Sequence, residues 1–271
     1  MQIDTLDFNK LLEEIKLVYG YDFTGYAESS LKRRVVHYMK ETRSASLNEV
    51  RKKIFSEEGE LEGFIHTISV TVTEMFRDPS FFRILRTKVT SRLHTYPHLK
   101  IWMAGCATGE EIYSMAILLK EEGLLKRSII YATDINQWSL EKAKIGIYDA
   151  GKMKLFTENY QKAGGKSSFS DYYKVKYNSV LFDKSLRENI VFAAHNLAVD
   201  KSFNEFQMII CRNVLIYFKQ ELQNRVISLF YESLCNFGYL GLGNKESLLF
   251  SDKIKKFDAI DKKDKLFMKI K

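Results

Sequence analysis

The sequence has 271 residues, of which 45% are hydrophobic and 28% are charged, as expected for a globular chain of one or two domains. No run approaches about 18 uninterrupted apolar residues, and no basic and apolar leader opens the chain, so neither a transmembrane helix nor an export signal is predicted. The three cysteines, Cys106, Cys211 and Cys235, lack metal-ligand spacing, which argues against a zinc site or a disulfide framework and predicts a cytoplasmic protein.

The net charge of +8 is concentrated in two segments. Residues 31–43 hold five basic side chains against one acid, and residues 245–271 hold nine lysines against five acids. Such local excesses indicate a docking surface and a solvated tail more than a groove that follows phosphates, although nucleic acid stays an alternative. We assign the docking role to Lys32, Arg33 and Arg34, with a solvated helix face as the alternative.

The first part of the chain is predicted to be helical. Apolar residues at positions 8–18 recur at helical spacing, and Gly20 follows as a helix stop. Asp78 and Pro79 form a helix start, in which the aspartate would accept hydrogen bonds from the free amides of the first turn. The predicted helices lie near residues 8–19, 28–39, 61–68 and 79–93, and another begins at Ser46, where Glu49 completes a capping box.

After about residue 95, short apolar runs alternate with helical stretches, which is typical of a mostly parallel sheet covered on both faces. The predicted strands lie at residues 99–104, 128–133, 190–194, 206–211, 239–243 and 266–270, with helices at 110–122, 137–145 and 219–236. The fold class is therefore α/β. The predicted domains are a helical N-terminal domain at 1–75 and a catalytic domain at 76–271, with a small β-subdomain inserted near 146–189.

The turn Gly105–Glu111 follows the first strand, at the edge where parallel sheets bind ligands. Glycine there lets backbone amides approach a ligand closely. The turn lacks the pattern of a pyrophosphate cradle, and its acids Glu110 and Glu111 suit a ligand with positive charge and hydroxyls. S-adenosylmethionine has an ammonium group, a sulfonium group and a ribose diol. The alternative is a strand–helix junction whose acids only favour the helix N-terminus.

Three further polar signals follow the next strands. Asp134 ends the second strand, where an acid typically accepts from both ribose hydroxyls, although a helix cap is the alternative. Asn196 follows the third strand and can hydrogen-bond an adenine edge, whereas the adjacent His195 is more often structural. The segment Cys211–Phe218 follows the fourth strand. Four signals in this order predict one cofactor pocket.

These segments resemble the chemotaxis-receptor glutamate methyltransferases, the CheR family, over nearly the whole chain. The resemblance is carried by Thr71–Asp78, Gly105–Glu111 with Tyr113 and Ser114, Ala132–Ile135, Asn196 with Leu197, and Cys211–Phe218. It implies a class I methyltransferase-like (Rossmann-type) sheet, an all-helical N-terminal domain with a basic receptor-facing helix, and an inserted β-subdomain. It also implies S-adenosylmethionine as cofactor and S-adenosylhomocysteine as product.

The resemblance also implies the site residues. Cofactor contacts would fall on Thr73, Arg77, Glu111, Asp134, Asn196, Leu197, Arg212 and Asn213, to which we add Gly105 and Thr71. Arg77 and Tyr217 would face the methyl group and act in catalysis. The alternatives are that Arg77 only anchors the cofactor carboxylate and that Tyr217 is core packing.

Three positions depart from the family pattern. Thr71 stands where an asparagine is usual, and this shorter donor weakens one expected cofactor contact. Ile112 replaces a common proline within the first helical turn, where the change is tolerable. Asn244 occupies the histidine position of a Gly-His-Ser-Glu segment, so no role of that histidine carries over.

We predict an enzyme that forms a methyl ester on glutamate side chains of an acidic helical protein substrate, the cytoplasmic region of a chemoreceptor. A glutamate carboxylate is anionic at neutral pH and needs no general base or metal. One rival is a nucleic-acid methyltransferase, although the segment Arg212–Leu215 lacks the proline and stacking aromatic that shield a flipped base. The other is a non-catalytic cofactor-binding regulator, and the inserted subdomain is a candidate peptide-binding edge.

Overall fold

The structure, a computed structural model, describes residues 3–270. Its N-terminal part consists of four helices, α1 (Thr5–Tyr19), α2 (Glu28–Glu41), α3 (Leu47–Ser56) and α4 (Glu60–Ile68). The carboxylate of Asp4 caps α1 by accepting from the amides of Leu6 and Asp7. The helix ends at Gly20 in the left-handed conformation (φ 79°), as predicted.

The four helices share one apolar core. Each contributes side chains at helical spacing, among them Phe8, Leu12, Ile15, Val35, Tyr38, Val50, Ile54, Phe64 and Ile65, all buried. The rings of Tyr38 and Phe64 meet edge to face, with centroids 5.2 Å apart. This apolar packing holds α2 in a fixed orientation, so its polar face points away from the helical core.

A helical run continues from Pro79 to Leu93 and changes its hydrogen-bond pattern midway. It comprises α5 (Pro79–Ile84), a π-helical turn (Leu85–Val89) and α6 (Thr90–Leu93). The predicted start at Pro79 is confirmed, but the predicted capping role of Asp78 is wrong. Asp78 has a φ of 53° and makes no capping hydrogen bond, because its carboxylate pairs with Arg212.

Within residues 3–270, ten strands form two sheets. In chain order they are β1 (Leu99–Ala104), β2 (Ser128–Asp134), β3 (Ile147–Asp149), β4 (Tyr173–Lys176), β5 (Ser179–Phe182), β6 (Ile190–Ala194), β7 (Phe206–Cys211), β8 (Leu234–Leu242), β9 (Phe257–Asp261) and β10 (Leu266–Lys269). The larger sheet has the order β6-β2-β1-β7-β8-β10-β9. Strand β10 is antiparallel to both of its neighbours, β8 and β9, and the other pairs are parallel. The predicted mostly parallel α/β sheet is confirmed.

Four further helices accompany the strands: α7 (Glu110–Glu121), α8 (Gln137–Ile145), α9 (Met153–Lys162) and α10 (Gln220–Ser233). Nine of the twelve residues of α7 are buried, so this helix is covered on nearly all sides. It carries the glutamates of the predicted turn at its first two positions. The start of α7 is therefore held rigidly at the end of β1.

The inserted subdomain is a three-stranded antiparallel sheet, β3-β5-β4, together with α9. The sequence predicted the hairpin but not α9. Glu121 joins this unit to α7, because its carboxylate accepts from the Tyr172 hydroxyl at 2.8 Å, the Lys166 amide at 3.0 Å and the Tyr160 hydroxyl. Burial raises the pKa of Glu121, but these hydrogen bonds and Arg86 outweigh burial and hold that pKa below its usual value.

The C-terminal elements differ most from prediction. β8 begins at Leu234, five residues earlier than expected, and α10 ends at Ser233. β9 was not predicted, because its edge position leaves it with a polar, irregular pattern. No helix within residues 3–270 is long and apolar enough to cross a membrane. The domain boundary near residue 75 stays a prediction.

Candidate functional site

A cleft lies where the carboxyl ends of the parallel strands face the helical N-terminal part. It consists of two adjoining pockets with about 730 and 470 Å³ of empty space, including space open to solvent. Both are lined by Val70, Gly105, Asn213, Val214 and Tyr217, so they form one continuous site. Ligands of open α/β sheets bind at this edge.

The turn after β1 supplies one wall of both pockets. Gly105 has a φ of 69°, and a Cβ atom there would lie 2.5 Å from Cγ2 of Val214. Ala107 also has a positive φ, 47°, and its amide donates to Oδ2 of Asp134 at 2.8 Å. Positive φ at a non-glycine residue costs free energy and marks a position that its surroundings hold in place. The hydrogen bond to Asp134 therefore holds the turn in the conformation that lines the pockets.

Asp134 lies at the end of β2 and lines the larger pocket. Besides the Ala107 amide, its carboxylate accepts from the Asn136 amide at 2.9 Å. Burial raises the pKa of Asp134, while these backbone hydrogen bonds oppose the rise. Burial and the nearby Asp134 charge also raise the pKa of Tyr26, which keeps its phenol protonated. Each carboxylate oxygen of Asp134 retains acceptor capacity toward the pocket.

The segment after β6 places its three residues differently. His195 and Leu197 line the larger pocket, whereas Asn196 is buried and does not appear in its lining. Oδ1 of Asn196 accepts from the Ala198 amide at 3.0 Å, and Nδ2 is buried without a hydrogen-bond partner among residues 3–270. The ring of His195 packs edge-on against Trp102, and burial lowers the pKa of His195. An unpaired buried donor is costly without a ligand.

Arg212 is buried between two carboxylates from distant segments. Its guanidinium donates to Oδ2 of Asp78 at 2.6 Å and to Oε1 of Glu111, and it lies 4.4 Å from the ring centroid of Phe81. Arg212 and Glu111 both line the smaller pocket. Glu110, in contrast, is buried away from both pockets and accepts from the Thr108 hydroxyl at 2.6 Å.

Arg77 and Tyr217 face the same space. Arg77 lines the smaller pocket with Thr73, and within the described residues 3–270 it forms no salt bridge. Tyr217 lines both pockets, and the guanidinium of Arg34 lies 5.8 Å from its ring centroid. Arg34 also donates to the carbonyl oxygen of Ser69 at 3.1 Å. Two cations therefore border the space around the Tyr217 ring.

The helical N-terminal part forms a roof over the cleft, which the sequence did not predict. Tyr26 pairs with Phe218 in an antiparallel bridge, and their ring centroids are 4.8 Å apart. The Ala27 amide donates to the Tyr217 carbonyl at 2.8 Å. The Lys219 amide donates to the carbonyl oxygen of Gly25, also at 2.8 Å. These contacts could not be predicted from local sequence patterns, because they join residues that are about 190 positions apart in the chain.

The three predicted docking residues do not share one surface. Arg33 is exposed, Arg34 points into the cleft, and Lys32 is paired with Glu28 at 2.8 Å and with the Thr5 hydroxyl at 2.7 Å. Successive helix positions are rotated by about 100°, which separates the three side chains.

Thr71 is half-buried and lines neither pocket, although Val70 and Val72 beside it do. A direct cofactor contact by Thr71 stays a prediction, and the structure offers no contact that favours it.

Glu246 is a site residue that the sequence analysis missed. Its Oε1 accepts from the amides of Val214 and Leu215 at 2.8 and 2.7 Å, and its Oε2 accepts from the Gly243 amide at 2.5 Å. Burial raises the pKa of Glu246, while the backbone amides oppose the rise. Glu246 therefore fixes the loop that carries Asn213, itself at a φ of 60°. The sequence offered one clue to this role, because Glu246 lies three residues after Gly243, close enough along the chain for its carboxylate to accept from the Gly243 amide.

We expect Gly105→Ala to weaken binding of S-adenosylmethionine at least about tenfold, because the added methyl group meets Val214 and the positive φ is strained. Gly123→Ala is the matched control, since Gly123 has a φ of 68° with nothing within 4 Å of its Cβ position. The control should cost about 1–2 kcal/mol of unfolding free energy without altering affinity. Calorimetric titration and urea unfolding measure both; equal affinity losses in the two variants would contradict the steric argument.

We expect Glu246→Ala to lower the free energy of unfolding by roughly 2–4 kcal/mol, because buried amides lose their acceptor. Glu246→Gln keeps one acceptor oxygen but turns an NH₂ group toward an amide donor, so it should unfold less readily than the alanine variant and still lose turnover. Urea unfolding and initial rates test this ranking. A glutamine variant with wild-type turnover would show that the loop needs no carboxylate.

Comparison with known proteins agrees with this geometry. The family described as "CheR methyltransferase, all-alpha domain" matches residues 6–69, and "CheR methyltransferase, SAM binding domain" matches residues 71–264. A Pseudomonas putida protein named as methyltransferase Cher3 is 46% identical over 264 residues, covering 97% of each chain. Chemotaxis protein methyltransferases of Listeria innocua and Pseudomonas aeruginosa are 30% and 32% identical, covering 92% and 75% of this chain and 92% and 76% of their own lengths. This chain belongs to the CheR family of S-adenosylmethionine-dependent methyltransferases.

Proposed function

We propose that this protein transfers the methyl group of S-adenosylmethionine to glutamate side chains of a chemoreceptor's cytoplasmic region. The observation that carries the proposal is the placement of two arginines around Tyr217. Arg34 lies 5.8 Å from its ring centroid, and Arg77 lines the smaller pocket together with Tyr217. Within residues 3–270 neither guanidinium has a carboxylate partner, and both border the space that an acceptor carboxylate would occupy. The names of the Listeria and Pseudomonas aeruginosa relatives, chemotaxis protein methyltransferases, support the same substrate class.

The residues of the cleft fit this cofactor. Asp134 lines the larger pocket and has acceptor capacity for a ribose diol. Asn196 lies outside the lining, between His195 and Leu197, and its unpaired Nδ2 would have to turn toward the pocket to reach an acceptor nitrogen of adenine. The smaller pocket offers Glu111 for the ammonium group of the methionine part. When bound, the cofactor supplies an electrophilic methyl group on a sulfonium centre. Gly105 leaves the space that its close approach requires.

In this reaction the main task of the protein is to position the acceptor carboxylate against the methyl group. A glutamate side chain has an ordinary pKa near 4.3, so the acceptor is already a nucleophilic carboxylate at neutral pH and no proton leaves it. Arg77 and Arg34 would attract and align that carboxylate, and the Tyr217 hydroxyl would donate to the oxygen that does not attack. Burial and the adjacent charge of Arg33 lower the pKa of Arg34, while Tyr217 opposes this change. Arg34 still carries its positive charge at neutral pH.

Of the three residues predicted to dock the protein substrate, Arg33 on the exposed face of α2 remains the candidate for that role. Arg33 is exposed beside the cleft-facing Arg34, so an acidic helical substrate could lie across α2 with its glutamate reaching the cleft. Addition of a peptide strand to the subdomain edge at β4 stays a second docking prediction. The free cysteines support the proposed cytoplasmic setting.

A nucleic-acid methyltransferase is the rival function. Such enzymes shield a flipped base with a stacking aromatic after the fourth strand, whereas here Asn213–Leu215 is held down by Glu246. The helical roof carries an exposed basic residue, Arg33, but the cleft beneath it is bordered by Asp134 and Glu111. These acids disfavour a phosphate backbone.

Incubation with methyl-labelled S-adenosylmethionine and an extract of the source cells should label a protein, and mild base should release the label as methanol. Esters hydrolyse under these conditions, whereas methylated amines and bases keep the label. Asp134→Ala serves as the control that removes the proposed ribose contact and should abolish labelling. Base-stable label on RNA would overturn the proposal.

We expect Tyr217→Phe to lower the maximal methylation rate at least about tenfold while leaving the affinity for S-adenosylmethionine unchanged, because only the orienting hydroxyl is lost. Tyr231→Phe on α10 removes a hydroxyl away from the cleft and should retain the wild-type rate. Initial rates at saturating cofactor and calorimetric titration separate rate from affinity. An unchanged rate would remove the hydroxyl from the mechanism.

A further inference from the structure

The loop after β8 exposes two large apolar side chains side by side. Leu249 and Phe250 are 70% and 73% exposed, whereas their neighbours Leu248 and Ser251 are buried. Leu248 packs in the core cluster beneath the sheet, so the loop is anchored and the two exposed side chains are held outward. Adjacent exposed leucine and phenylalanine side chains on an anchored loop indicate an interaction site.

This loop adjoins the proposed catalytic centre. It starts at Glu246, whose carboxylate binds the amides of Val214 and Leu215 in the segment that leads to Tyr217. At its other end, the carbonyl oxygen of Phe250 accepts from Nε2 of Gln220 at 3.5 Å. The apolar pair is therefore tied at both ends to the chain on either side of Tyr217.

The charge around the pair is positive. Residues 244–256 carry four lysines, Lys245, Lys253, Lys255 and Lys256, and the exposed acid of this stretch is Asp252. Lys219 lies exposed at the start of α10, beside the same loop. An acidic chain that also bears apolar side chains would match both features, whereas a second copy of this basic protein would be repelled.

We infer that Leu249 and Phe250, with their rim of lysines, dock the segment of the protein substrate that flanks the acceptor glutamate. This inference rests on the proposed function. The occupant is an acidic, amphipathic stretch of that substrate, because its glutamate must enter the cleft while its neighbours pass over the loop. A membrane surface fits less well, since it would cover the cleft that the substrate has to reach.

The test compares Leu249→Ser/Phe250→Ser with Leu17→Ser/Val18→Ser. The second pair lies on α1, where the side chains are 81% and 62% exposed, and removes a similar apolar area away from the cleft. Base-labile methyl incorporation is followed as the concentration of source-cell extract is raised at saturating S-adenosylmethionine. The loop variant should need about tenfold more extract for half-maximal rate, with unchanged maximal rate, cofactor affinity and melting temperature. The α1 variant should match the wild type.

Three results would overturn the inference. An unchanged half-saturating concentration, with base-labile label still formed, removes the docking role and leaves the proposed function intact. Absence of base-labile label with the wild-type protein removes both. Binding of the wild type, but not of the loop variant, to vesicles of phosphatidylcholine and phosphatidylserine assigns the loop to lipid instead.

Discussion

The cleft depends on one buried cation. Arg212, at the end of β7, holds Asp78 from the segment that leaves the helical domain and Glu111 from the first turn of α7, and it rests on the ring of Phe81. Three stretches that are far apart in sequence are thereby fixed around one guanidinium. A buried arginine that lost both carboxylates would leave an uncompensated charge, which costs roughly 3–5 kcal/mol. The positions of Arg77 and of the Gly105 turn follow from this anchor.

The parts of the fold and site that the sequence predicts are those with local causes. The strands β1, β2, β6 and β7 end where glycine or polar residues interrupt apolar runs, so their bounds, to within one residue, and the positions of Asp134 and Asn213 follow from the pattern alone. The parallel order of the strands then brings these residues to one edge. The same logic predicts the helical N-terminal part, whose apolar stripes recur at 3.6 residues.

The remainder depends on tertiary contacts that no local pattern encodes. Asp78 has the appearance of a helix cap but pairs with Arg212, and Arg34 belongs to a basic run but points inward onto Tyr217. Glu246 is one acid in a lysine-rich stretch, yet its carboxylate orders the loop before Tyr217. The sequence assigned these three side chains to a helix cap, a docking surface and a solvated tail, whereas in the structure the packed partner decides the role of each.

The backbone pairing of Tyr26 with Phe218 has a consequence for how the two parts of the chain can be recombined. The helical part supplies an amide at Ala27 and a carbonyl at Gly25 to the stretch around Tyr217. A helical domain grafted from another methyltransferase must present this donor and acceptor at the same spacing, whatever its side chains are. Compatibility between swapped halves is thus set by main-chain register. Chimeras that shift this register by one residue would misplace Tyr217 even when every residue that follows the strands is unchanged.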